Sequence, residues 1–217
     1  MCYLQALIRD GFKCIVSGIY DDNALKLEIP SIDKEVVRQE GTVFTECVHI
    51  VPQSTYFDVS TSPDKEDYSA SLLAVLERFG YNVDSLNGTK VHSLHNVMTM
   101  QHDVYDWFDR LKLWFEATSI PHCYHVKAAS GYFPATARKK TITFVTSDSE
   151  LSLPSPELLA LHAACAKVAH LSGAAAYIDK LDRDTDDLCV LAHDGGSSSI
   201  LNNALLRSLS STINAGA

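Results

Sequence analysis

The apolar positions of this chain change their spacing several times, and each change marks an element. In "CYLQALIRDGF", Leu4, Leu7 and Ile8 fall three and four apart, which predicts a short helix with those three on one face. "KCIVSGIYD" reads as a strand and turn, with Gly18 at the turn. "IPSIDKEVVRQEGT" predicts a short helix that stops at Gly41. "VFTECVHIV" is a run of β-branched and aromatic residues, the signature of a strand. "PQSTYFDVSTSPDKED" is polar and loop-like, and "SASLLAVLERFG" is a helix closed by Gly80. "NVDSLNGTKVHSLHN" reads as a loop with an Asn-Gly turn, and "VMTM" as a short strand. "QHDVYDWFDRLKLWFEA" repeats Val104, Trp107, Phe108 and Leu111 at helical spacing and reads as one amphipathic helix. "CYHVKA" and "KKTITFVTS" look like two further strands.

The clearest helix lies in "LPSPELLALHAACAKVAHLSGAAAYIDKL". Ser155 is its candidate N-cap, Pro156 its first residue, and Glu157 complements the dipole. Gly173 is a candidate interruption. "DRDTDD" reads as an acidic loop, and the tail as Gly/Ser-rich, then weakly helical. The predicted class is α+β, with the core in residues 1–150 and a helical C-terminal extension over 151–217.

Composition narrows the function classes. The 217 residues are 46% hydrophobic and 21% charged, enough for a core without disulfide staples. Lys+Arg is 18 against Asp+Glu 27, a net charge of −9, which argues against a nucleic-acid partner at long range. Arg138-Lys139-Lys140 is the one tight basic cluster, and it suits a solvated strand entrance. The six cysteines form no Cys-x-x-Cys pair, so a zinc ribbon is not expected. No signal-peptide layout and no apolar run of membrane length stand out, which predicts no membrane partner and a cytoplasmic, or alternatively nuclear, protein with reduced thiols.

The candidate chemistry begins at His49, a titratable ring at the end of the strand "TECVHIV", just before Pro52 and a polar loop. Downstream come Asn96, a short strand, and a helix beginning near Gln101. This order resembles the HNH family of ββα-metal (His-Me finger) nucleases. The segments that carry it are "DGFKCIVSG", "ECVHIVPQS", "LHNVMTM" and "HDVYDWFDRLKLWFE", from Asp10 to Glu116. It is most similar to HNH-domain proteins of fungi, in which an "HI-P" strand, an "N" turn and an "H-x-x-F-D" helix recur. The resemblance implies a ββα-metal core. It implies His49 as the general base that activates water, Asn96 as the residue that orients it, and an ion held beside the base and on the helix.

The ligand positions depart from that pattern. The residue before His49 is Val48, the helix position of the motif histidine is Tyr105, and four residues earlier stands Gln101. Hard divalent ions favour carboxylates and imidazoles over these groups. A histidine, an asparagine and a tyrosine remain, and a tyrosine can donate a proton or polarise an oxygen. The sequence therefore leads first to a metal-independent acid/base enzyme, of cyclase, isomerase or hydrolase type, without a cofactor. His49, Asn96 and Tyr105 are its catalytic residues. Gln101, His102 and Trp107 would bind a small, largely apolar substrate. Two further expectations stand beside it. One is a divalent-metal HNH endonuclease with a ligand set displaced to His102 and Asp106. The other is a non-catalytic interaction module. The C-terminal helices are where a homo-oligomer would form.

Overall fold

The computed structural model describes residues 2–52, 88–129, 133, 135–137, 139–146 and 148–177, with the isolated positions 77, 80, 86 and 180. The expected loop over 53–67, the helix over 69–80 (Glu77 and Gly80 apart), the acidic loop over 182–187 and the tail over 193–217 lie outside the described residues. The chain divides into two compact units, 1–166 and 167–217.

The first unit opens with α1 (Cys2–Arg9). Ala6 and Leu7 are its buried apolar residues, while Leu4 and Ile8 stay 48% and 43% exposed, so only Leu7 of the expected face turns inward. Arg9 sets that rotation. Its buried guanidinium donates to Leu94 O at 2.7 Å and to Val97 O at 2.9 Å, and pairs with Asp10 at 2.8 Å. Stranding those donors in the interior costs more than leaving two aliphatic side chains half wet.

A two-residue β1 (Tyr20–Asp21) pairs in parallel with β2 (Thr42–Val43), and α2 (Asn23–Lys26) and α3 (Lys34–Glu40) lie between them. Asp33 caps α3 by accepting from Glu35 N at 2.8 Å, and the helix stops at Gly41, where φ is +79°. Leu7, Phe12, Ala24 and Val37 form a small core here. The strand read in "VFTECVHIV" breaks at Phe44, which is 78% exposed, and resumes as β3 (Thr45–His49).

The larger core gathers around β3 and β4 (Val97–Gln101), an antiparallel pair in which Thr45 faces Gln101 and His49 faces Val97. All five β4 residues are buried, and 3-10 turns at Gly88–His92 and Leu94–Asn96 lead into it. Then comes α4 (His102–Asp109), which packs on both strands through Val104 and Phe108. The result is a ββα unit inside an α+β fold.

The helix read through residue 117 ends at Asp109. Leu111 adopts φ +58°, and β5 (Leu113–Ala117) pairs with β6 (Cys123–Ala128), which pairs with β7 (Thr141–Thr143). The reason lies in "LWFEA" itself. Leu113 and Phe115 point into the core while Trp114 and Glu116 face outward, a period of two that β6 can pair with.

α5 (Pro156–Leu171) starts as expected, with Ser155 Oγ accepting from Leu158 N at 3.3 Å. In the second unit, Gly173 takes φ +78° just past the helix. Cys14, Cys123 and Cys165 are free thiols. No described helix is long and apolar enough to cross a membrane.

Candidate active site

Strand alternation explains how His49 comes to face a cleft. Val48, one residue earlier, points into the core at 2% exposure, so the next side chain leaves it. The His49 ring, partly buried, meets His92 at the end of the first 3-10 turn. Its Nε2 lies 3.0 Å from His92 Nδ1, and the rings are T-shaped with centroids 5.1 Å apart. One hydrogen must lie between these two nitrogens, so one ring donates and the other accepts. Burial, then the charge that His92 would carry, pulls His49 down to about 4. At neutral pH it is an uncharged imidazole, the form able to take a proton.

Asn96, fully buried, holds the frame for this pair. Its Oδ1 accepts from Val51 N at 2.9 Å, and its Nδ2 donates to Val51 O at 3.0 Å and to Val91 O at 2.9 Å. Ile50 N also donates to Asn96 O at 2.8 Å. These bonds reach the backbone two residues after His49 and one before His92. The asparagine thus fixes the segments that carry the two imidazoles, and its side-chain bonds go to backbone and not to a ring.

The cleft at His49 has a volume of about 150 Å³. Ile50, Val51, Phe108, Leu111 and Leu161 give it apolar walls, with Asp109, His162, Cys165 and Pro52 also lining it. His162 is buried, and its ring lies flat on Phe108, centroids 3.7 Å apart and planes 4° apart. Its Nε2 donates to Phe108 O at 3.0 Å.

The other expected site residues lie away from this wall. Tyr105 packs half-buried against the main core, and burial followed by the charges of Asp109, Glu46 and Asp106 pushes its phenol up to about 12. It stays protonated but does not line the cleft. Trp107 also packs on the core. His102 is exposed and bonded to Glu46 at 2.7 Å, which raises its pKa. Gln101 is buried at the end of β4, its Nε2 donating to Asp103 and its Oε1 without a partner. Of the expected six, His49 and Asn96 share the cleft's frame. His92 and His162, which the sequence did not single out for this site, complete it. The adjoining "VHSLHN" contained the signal for His92, but only a fold that returns to β3 gives it meaning.

The described residues do not fit a resident divalent ion. Val48 is in the core, Gln101 offers one neutral oxygen, Tyr105 remains a neutral phenol, and no group of three His, Cys, Asp or Glu comes together among the described residues.

Residues 14–116 match the model of a family described as HNH endonuclease. That stretch takes in β3, His49, His92, Asn96, β4 and α4, and ends within β5. No curated protein and no solved structure matches the chain.

Proposed function

We propose, from the HNH-like scaffold of residues 14–116, that the chain is a hydrolase of the nuclease type that cleaves phosphodiester bonds of nucleic acid, with His49 as general base. The observation that carries this reading is the position of His49 inside the matched stretch, neutral and facing a cleft. When its Nε2 carries the hydrogen shared with His92, its Nδ1 is the basic nitrogen. Nδ1 takes a proton from water, the water oxygen bonds to phosphorus, and the bond to the leaving oxygen breaks. The positive charge left on His49 is shared with His92 across 3.0 Å. No step is assigned to an ion, because the described donors do not form a site for one.

A second reading has its own support. The walls of the cleft are mostly apolar, and its volume suits a small molecule better than a phosphate backbone. The net charge of −9 points the same way. On this reading the same imidazole pair performs acid/base chemistry on a small, largely apolar metabolite.

Plasmid and single-stranded DNA, incubated with the protein in EDTA and then with Mg²⁺, Mn²⁺ or Zn²⁺, separate the two. Cleavage by the wild type that is lost in His49→Ala supports the nuclease. Absence of cleavage under every condition would overturn it and leave the small-molecule reading.

A further inference from the structure

Helix α4 ends in a turn of a kind that glycine usually completes. Lys112 N donates to Trp107 O at 2.8 Å and Leu111 N to Phe108 O at 3.0 Å, the paired bonds of a Schellman cap. Such a cap puts the residue after the helix cap in the left-handed region. Arg110 is the cap, so that residue is Leu111, at φ +58°. At the ends of α3 and α5, the residues that take positive φ are Gly41 and Gly173. A leucine in this conformation crowds its Cβ against the following carbonyl, which disfavours folding relative to glycine. A bulky residue kept in such a place calls for a reason.

The His49 cleft supplies it. Phe108 and Leu113, on either side of the turn, belong to the main core, whereas Leu111 is partly exposed and lines the cleft together with His49. A cleft of about 150 Å³ has room only for a small group, so removing one leucine side chain from its wall would widen it substantially. Glycine at this position would relax the turn and take away that wall. We infer that Leu111 is a specificity-determining residue: its side chain, kept at the cost of a strained turn, narrows the His49 cleft and sets the width of the group that reaches the ring. Slender groups are admitted and branched ones turned away. This role rests on the reading of His49 as the reacting base, and it holds for either substrate class proposed above.

Access to His49 is measurable without turnover. Diethyl pyrocarbonate and di-tert-butyl dicarbonate both acylate a neutral imidazole and differ in bulk. With each reagent on the full-length protein, peptide mass spectrometry gives the rate of modification at every histidine, and the exposed His125 serves as reference. Relative to His125, wild-type His49 should disfavour the bulky reagent about tenfold. In Leu111→Gly and Leu111→Ala the preference should fall to about twofold or less, while Leu111→Met, which keeps the bulk, should retain it. In urea denaturation Leu111→Gly should be about fivefold more stable than Leu111→Ala in the folding equilibrium, because only glycine relieves the turn. A wild type without the size preference, or a preference that survives truncation, would overturn the inference, as would an alanine variant as stable as the glycine one. Either truncation reads the size preference where the other fails to fold. Absence of DNA cleavage with the preference intact sinks the nuclease reading alone; His49-dependent cleavage without the preference sinks this role alone.

Discussion

Asn96 and Val51 are joined by two hydrogen bonds, N–H to Oδ1 at 2.9 Å and Nδ2 to C=O at 3.0 Å. A side-chain amide thus pairs with a peptide much as one strand pairs with another, and it does so at 0% exposure. Replacing Asn96 by Ala leaves Val51 N, Val51 O and Val91 O without their partner. The loss should be roughly 3 kcal/mol of unfolding free energy, because buried groups left unpaired carry their full desolvation cost. Urea denaturation checks this. A change below 0.5 kcal/mol would mean that water or other groups take over those bonds.

The His49 ring sets a pH profile. With His49 at about 4, its basic form is present throughout the neutral range. Activity of the free protein should rise as pH passes about 4 and stay level through neutrality, and His49→Ala should lower it by roughly 10²–10⁴-fold. An acid limb near 6.5 in the pH–rate profile would show that the ring titrates as an ordinary histidine.

His92 lowers His49 by charge, after burial. His92→Ala should therefore raise the His49 titration midpoint and also remove the ring that shares its proton. The His49 Hε1 signal, followed by NMR across pH, reads the shift. A midpoint that does not rise would mean that the 3.0 Å contact carries no electrostatic weight.

One buried histidine and one half-buried histidine make the fold acid-sensitive. His49 and His162 both sit at about 4 in the folded chain, each lowered chiefly by burial, against about 6.5 when unfolded. Between those values the unfolded chain binds more protons, so stability falls as pH drops from about 6.5 to about 4 and is level above. The contribution is on the order of 3 kcal/mol for His162 and smaller for the partly exposed His49. Denaturation at pH 7.5, 6 and 5 should show the decline, and His162→Phe should flatten it.

The Arg9–Asp10 pair is the other buried liability, with side chains 0% and 3% exposed. Arg9→Ala removes the partner of a buried carboxylate and frees the carbonyls of Leu94 and Val97. A loss of about 3–5 kcal/mol is expected from thermal or chemical unfolding.

What the sequence disclosed, it disclosed through local pattern. The order of β3, Asn96, β4 and α4 was legible, as were the Ser155 cap and the Gly41 stop, because each rests on residues close in the chain. β5 was not, since "LWFEA" continues a helical spacing as well as a two-residue alternation, and only its pairing with β6 decides between them. The site was half legible for the same reason. His49 and Asn96 stand in a recognisable order, but His92 reaches His49 across 43 positions and His162 reaches Phe108 across 54. Tyr105 had the right spacing but spends its side chain on the core.

One consequence of α1 lies in how β4 is finished. On one flank β4 has β3. On the other, Asp10 Oδ2 accepts from Thr99 N at 2.9 Å, Arg9 donates to Val97 O at 2.9 Å, and Ile15 N donates to Thr99 O at 3.0 Å. Two side chains and a loop amide thus imitate a neighbouring strand and close an edge that could otherwise recruit a second molecule. Trimming the protein to the family-matched stretch 14–116 would discard Arg9 and Asp10 and reopen that edge. Such a fragment should self-associate through β4, so its behaviour in solution would report on the missing helix and not on the chemistry of the cleft.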